Sequence, residues 1–222
     1  MKTLFTLLTC LFILSPTVVM SETVKYEDLV WRQGLCYKKS SDVPFTGTVT
    51  GKVQGKIKNG QIEGPWVTYW ENGQLSQKIT YKDGKWDGPY VSYHKNGKLS
   101  KRETYKNGLQ NGPSVGYWKN GRLDRKGTYK NGKKDGPWVS YWSNEQLWSQ
   151  GNYKNGKKDG PWFDYHKNGK LMSKGTYKDG KREGPWVDFH SDGTKRMSEK
   201  KTGTIIFDEG SGFYRNGKKV SD

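Results

Sequence analysis

Histidine and cysteine are scarce in this chain, three and two copies among 222 residues, and that scarcity removes most nucleophilic and metal-binding constellations at once. Cys10 falls in an apolar N-terminal stretch, which leaves Cys36 without an internal disulfide partner. A half-buried strand residue is the expected state of Cys36, with a free thiol or an intermolecular bridge as alternatives. His94, His166 and His190 stand in distant segments, so no zinc-ligand spacing exists. The glycines form no phosphate-cradling loop, and no cofactor is expected. After the N-terminal stretch no apolar run approaches the length needed to span a bilayer.

That N-terminal stretch has its own logic. Lys2 supplies a positive start, Leu4 to Leu14 is nearly all apolar, Pro16 interrupts it, and Val19-Met20-Ser21 offers a cleavage site. The pattern predicts a secretory signal peptide over 1–21 and a mature chain beginning near Glu22, exported to a periplasmic or secreted location and not transmembrane. Leu7 before Cys10 has some likeness to a lipoprotein box, but it sits too early and apolar residues continue past it, so lipidation is disfavoured.

Acidic residues are also in short supply, 22 against 39 Lys and Arg, for a formal net charge of +17. With hydrophobic residues at only 31% and 29 glycines, such a composition suggests disorder. The aromatics argue otherwise, because they recur in register. Gly-Pro falls at Gly64, Gly88, Gly112, Gly136, Gly160 and Gly184 without an insertion, a period of 24 residues. Tyr81, Tyr105, Tyr129, Tyr153 and Tyr177 mark a second position, and Leu75, Leu99, Leu123, Leu147 and Leu171 a third. Asn-Gly or Asp-Gly occurs near the middle of most units and again at each junction. A fixed period of this length signals an array of supersecondary units.

The division that follows is 22–57 as N-terminal capping hairpins, 58–201 as six 24-residue repeats, and 202–222 as a C-terminal capping hairpin and tail. In the first cap, Leu29 to Tyr37 reads as a hairpin around Gln33-Gly34; in the last, Thr204 to Phe207 is expected to pair with Phe213-Tyr214 across Gly210 to Gly212. Each unit reads as two strands, since Asx-Gly between Val, Tyr, Trp and Leu runs is a strong signal for a two-residue type I′ turn. With Asn144-Glu145 as such a loop, Trp142 faces Leu147, Ser140 faces Ser149, Trp138 faces Gly151, and Tyr141 meets Trp148 on the other side. Trp138 would then cover Gly151, and Trp162 would cover Gly175. The fold class is all-β: an elongated single-layer antiparallel meander of repeated hairpins, with about fourteen short strands.

A unit of the form N-G-x-x-x-G-P-W-x-x-Y-x-x-N-G-x-L resembles the bacterial variant of the MORN repeat. The likeness covers about two thirds of the chain, with departures at Glu145 for the mid-unit glycine, Ser114 for the tryptophan and Lys195 for the leucine. It implies a solenoid of hairpins and a role in lipid binding or scaffolding at membranes. Similarity to exported MORN-containing and YwqK-type antitoxin proteins implies, as an alternative, neutralisation of a partner toxin by direct binding.

Catalytic chemistry finds little support. Glu63, Asp87, Asp135, Asp159 and Glu183 form a row whose spacing, roughly 9.5 Å, would suit an inverting glycosidase pair. Yet the row repeats with the fold beside turn lysines, so it reads as loop carboxylates. The histidines occupy the slot of Trp70, Trp118 and Trp142 and read as aromatic fillers. What remains is the basic edge: Lys133, Lys134, Lys157, Lys158, Lys181 and Arg182, joined by Lys82, Lys106, Lys130, Lys154 and Lys178. Such a ladder attracts polyanions, and as loop side chains these residues are expected to hold no core. Trp138, Trp142, Trp162 and Trp186 form the candidate aromatic face. The expectation is a non-enzymatic binding or scaffold module contacting anionic lipid, envelope polysaccharide or a protein partner. Export disfavours nucleic acid, and solubility alone is the plain alternative for the lysines.

Overall fold

The computed structural model describes residues 21–196, 200–201, 204–205 and 211–221; the expected signal peptide, apart from its last residue Ser21, lies outside them. Eighteen strands form one sheet. From Gly47–Thr50 through Val53–Lys58, Gln61–Tyr69 and so on to Lys181–Asp188 the chain is an antiparallel meander in which each strand pairs with its neighbour, the broken strands Leu109–Gln110/Gly112–Tyr117 and Lys133–Lys134/Gly136–Tyr141 each pairing with the strand before them. At the N-terminal end Glu22–Lys25 pairs parallel with Gly47–Thr50. A hairpin of Leu29–Arg32 and Leu35–Lys38 turns at Gln33-Gly34 and packs Cys36 into the first core cluster. A single 3-10 turn, Tyr26–Asp28, is the helical content of the described residues.

More strands appear than the expected fourteen, mainly because the terminal caps contribute more of them, and also because one-residue breaks divide two strands, as where Asn111 separates Leu109–Gln110 from Gly112–Tyr117. The Gly-Pro pair explains the irregularity. Gly160 takes φ 96°, and while Gly151 pairs with Trp162, Tyr153 pairs with Lys158. The Gly-Pro strand therefore carries surplus residues at a bulge, where glycine supplies the left-handed backbone and proline lacks an N–H that no ladder partner requires.

The two turns of each unit differ, which corrects the expectation of type I′ loops at both. At the junctions Asn59, Asp83, Asn107, Asn131, Asn155 and Asp179 all have φ near 50°, followed by a glycine at positive φ, the signature of a two-residue type I′ turn. In mid-unit only the final residue is left-handed. Trp142 N–H donates to Gln146 O at 2.8 Å and Glu145 N–H to Trp142 O at 2.9 Å, so Ser143, Asn144 and Glu145 form a three-residue loop with Glu145 at φ 72°. The asparagine is held by its own side chain instead: Asn144 Oδ1 accepts from Gln146 N–H.

This loop moves the pairing by one residue at its base. Ser140–Ser149 and Trp138–Gly151 pair as expected, but Tyr141 pairs with Leu147, not Trp142, and Trp148 becomes the bulged residue, so Tyr141 does not meet it across the ladder. The ring contact is corrected too. The indole of Trp138 covers Gly127, that of Trp162 covers Gly151 and that of Trp186 covers Gly175, each glycine lying on the preceding strand. A β-carbon at any of these glycines would overlap the ring. At the C-terminal end Phe213-Tyr214 pairs with Gly184-Pro185 on one side and with Lys218–Ser221 on the other. Thr204–Ile205 pairs with Lys200–Lys201, while Ile206, Phe207 and Gly210 lie outside the described residues.

The core occupies one face of the sheet. Along it run alternating tryptophan and tyrosine rings in edge-to-face contact, Tyr129–Trp138–Tyr153–Trp162–Tyr177–Trp186–Tyr214, with centroids 5.0 to 6.4 Å apart.

Candidate functional site

The junction turns are stacked rigidly on one another. The N–H of Gly156 donates to Lys134 O and that of Gly180 to Lys158 O, both at 2.8 Å. The carboxylate row completes the stack: Glu63 accepts from Asp83 N–H, Asp87 from Asn107 N–H, Asp135 from Asn155 N–H, Asp159 from Asp179 N–H and Glu183 from Asn216 N–H. Asn111 does the same for Asn131 N–H. An amide suffices where carboxylates usually stand, so the position requires an acceptor and not a charge. The row is structural.

On this scaffold four of the six junction turns are closed by two lysines directly opposite one another, Lys82 and Lys85, Lys130 and Lys133, Lys154 and Lys157, Lys178 and Lys181, while Lys58 faces Gln61 and Lys106 faces Leu109 at the other two. All eight are exposed, and none joins an ion pair among the described residues. Like charges in cross-strand pairs oppose folding.

The six candidate anion-binding residues do not act together. Successive residues of a strand point to opposite faces, and the structure separates Lys133, Lys157 and Lys181, which are exposed, from Lys134, Lys158 and Arg182, which are half-buried. The Lys134 ammonium lies 4.2 Å from the centroid of Trp138 and 4.8 Å from that of Tyr153; Lys158 lies 3.8 Å from Trp162 and 4.8 Å from Tyr177; the Arg182 guanidinium lies 4.0 Å from Trp186. These three cations cap the core, contrary to the expectation that the loop lysines hold none. Burial holds the pKa of Lys134 below the ordinary lysine value, helped by Arg125 and Lys158. For Lys158 burial acts in the same direction, partly opposed by Asp164.

The candidate aromatic face is divided in the same way. Trp138, Trp162 and Trp186 are buried, while Trp142 belongs to the mid-unit edge. There each slot residue reaches the unit that follows: Trp70, Trp118 and Trp142 donate Nε1–H to Tyr93 O, Tyr141 O and Tyr165 O, and His94 and His166 use Nε2 towards Tyr117 O and Phe189 O. A carbonyl only accepts, so these imidazoles carry their proton on Nε2. Histidine replaces tryptophan here because both present a ring N–H at that reach. An asparagine ladder runs beside it, Asn72, Asn96, Asn120, Asn144 and Asn168 each donating to a backbone carbonyl of the next unit.

Two features escaped the sequence reading. One is Glu103, 2% exposed, whose carboxylate accepts from Gln110, Ser114 and Tyr105 and pairs with Lys101 Nζ at 2.9 Å. Burial, followed by this carboxylate, pushes the Tyr105 hydroxyl pKa upward. The signal was present, because Glu103 stands at the position of Gly127, Gly151 and Gly175, and Ser114 at that of their tryptophans. The other is a polar row across the core face, Arg125–Ser140–Ser149–Asp164–Ser173–Asp188, each residue paired with the next.

No curated protein matches the chain. Five consecutive segments, residues 62–83, 86–107, 110–131, 134–155 and 158–179, match the MORN repeat variant. Each segment runs from one junction turn to the next, so the boundaries of the match and those of the stacked hairpins coincide. With its hairpins, its junction turns and its aromatic ladder set at that repeat, the chain belongs to the MORN repeat variant family.

Proposed function

We propose that this protein is an exported, non-enzymatic module whose junction edge binds an anionic component of the cell envelope, acidic lipid or polysaccharide. MORN repeats are in general binding or scaffold modules, and the family is non-catalytic. The observation that carries the finer reading is the set of opposed, exposed lysine pairs at the junction turns. On the mid-unit edge, by contrast, Lys98, Lys170 and Arg122 donate to backbone carbonyls, and Lys95 and Lys167 lie over Trp70 and Trp142. Uncompensated pairs on a rigid stack of turns destabilise the fold and favour a ligand of opposite charge.

Each lysine near an anionic surface contributes about 1 kcal/mol, and the attraction decays within about 10 Å at moderate ionic strength. Binding therefore accumulates over turns and falls steeply with salt. The test is co-sedimentation with acidic phospholipid vesicles, and separately with a sulfated polysaccharide, at low and high salt. Wild type is compared with a variant in which Lys82, Lys85, Lys130, Lys133, Lys154, Lys157, Lys178 and Lys181 are all glutamine. Salt-sensitive binding that the variant lacks supports the reading. Wild type remaining in the supernatant at low salt overturns it and favours a protein partner.

A further inference from the structure

The core face also carries a groove that is distinct from the junction edge. Its floor is the polar row, where Arg125, Ser140, Ser149 and Asp164 are successive cross-strand neighbours. Trp138 and Trp162 stand on one side with Lys134 and Lys158 above them. On the other side stands Trp148, which is 41% exposed. Other units hold Ser76, Ser100, Asp124 or Met172 at that bulge position. The Trp148 ring rests 5.1 Å from Trp142, which is itself fixed by its hydrogen bond to Tyr165 O.

The groove has a volume of about 310 Å³ and is lined by Asp124, Arg125, Lys134, Trp148, Lys158 and Asp164 among others. That is the lower end of the range for small-ligand sites, about 300 to 1,000 Å³, and suits one or two sugar rings. Its chemistry is mixed in an informative way. Three cations face two carboxylates, and both carboxylates have partners: Asp164 accepts from Trp162 Nε1–H at 3.0 Å and Ser173 Oγ–H at 3.1 Å, and Asp124 Oδ2 lies 3.7 Å from Arg125 Nε. A single negative group is therefore welcome, since it would relieve the crowding by Arg125 and Lys158 that, after burial, lowers the Lys134 pKa. A phosphate dianion fits less well beside two aspartates. Hydroxyl donors suit those aspartates and the floor serines, and a flat apolar ring face suits an indole with one side open.

We propose that this groove binds a carboxylated pyranose of an acidic glycan. The sugar ring lies on Trp148, its carboxylate among Arg125, Lys134 and Lys158, and its hydroxyls towards Asp124, Ser149 and Asp164. This site is separate from the lysine pairs of the junction edge and stands whether or not they bind an anion.

The test is calorimetric titration of the full chain with a galacturonic acid trimer, the neutral galactose trimer and a nucleoside monophosphate. The acidic trimer is expected to bind at least tenfold more tightly than either other probe. Trp148→Ala should weaken it at least tenfold, Trp148→Phe should restore most of the loss, and Arg125→Gln should reduce the preference for acidic over neutral sugar. The triple change of Lys133, Lys157 and Lys181 to glutamine should leave the affinity within about twofold, which separates this site from the edge. Unchanged melting points for the Trp148 variants exclude unfolding as the cause. Equal binding by Trp148→Ala, loss of binding in the triple lysine variant, tighter binding of the nucleotide, or no binding of the acidic trimer would each overturn the proposal.

Discussion

The two ends of the array build the same frame from different chemistry. In the N-terminal half Leu29, Cys36, Phe45, Val49, Ile57, Trp66 and Ile79 form one apolar cluster, with Trp86, Tyr90 and Tyr105 against it. In the C-terminal half the cluster is Trp162, Trp186 and Tyr214 with their flanking tyrosines, and cations lie over the rings. Position by position the partners change together. Gly151 lies under Trp162, Ile79 pairs with Tyr90, and Glu103 bonds Ser114. A larger residue on one strand accompanies a smaller one on the next, so the sheet keeps its spacing whether the filling is a large ring, two middle-sized groups or a hydrogen-bonded carboxylate. Gly55 under Trp66 already uses the ring-over-glycine filling at the start of the array, the Ile79–Tyr90 and Glu103–Ser114 pairs interrupt it, and the Glu103 cluster is the joint at which the chain returns to it.

The largest effect is expected at that joint. Glu103→Gly alone leaves Lys101, Gln110, Ser114 and Tyr105 without their shared acceptor and should cost about 3 kcal/mol, read as a lower urea midpoint. Adding Ser114→Trp installs the pair used by the units that follow, and the double variant should recover wild-type stability or exceed it. If the second change gives no recovery, the equivalence of the two fillings is wrong.

Next in size is the reverse exchange in the C-terminal half. Gly151→Ile forces a branched side chain into the ring of Trp162 and should cost about 1 to 3 kcal/mol through overpacking. Trp162→Tyr added to it reproduces the Ile79–Tyr90 pair and should return most of the loss. Additive losses in a double-mutant cycle would show that the halves are not interchangeable.

Smaller effects separate neighbouring lysines. Lys158→Gln removes a cation held between two rings and should cost about 1 kcal/mol, whereas Lys157→Gln relieves the like-charge pair with Lys154 and should raise the melting point slightly. Smallest is Glu145→Gly. Glycine relieves a left-handed residue, a gain of about 1 kcal/mol, reduced by loss of the exposed Arg122–Glu145 pair at 3.4 Å. A slightly higher midpoint is expected, and a lower one would place the ion pair above the backbone strain.

Much of this was legible before the fold. The unbroken period of 24 and the paired Asx-Gly turns implied a meander, the Trp138–Gly151 register was correct, and Glu145 does adopt the left-handed backbone assigned to it. The mid-unit loop was misread because Asn-Gly serves two turn geometries, and Asn144 bonding to Gln146 N–H selects the longer one. Alternation alone puts Lys133 and Lys134 on opposite faces. That the inner one would cap tryptophan required knowing which strand each ring leans on, and that depends on contacts between units.

The most direct test of the functional account sets two triple variants of the same units side by side. One converts Lys133, Lys157 and Lys181 to glutamine, the other Lys134, Lys158 and Arg182, and both are followed by thermal melting and by pelleting with acidic vesicles at low salt. The first should melt no earlier than wild type and lose vesicle affinity by on the order of a hundredfold, three lysines at about 1 kcal/mol each. The second should melt earlier yet, below its transition, still pellet. Wild-type pelleting by the first variant, or loss of pelleting by the second without any fall in its melting point, would contradict the assignment of the exposed junction lysines as the anion-binding edge.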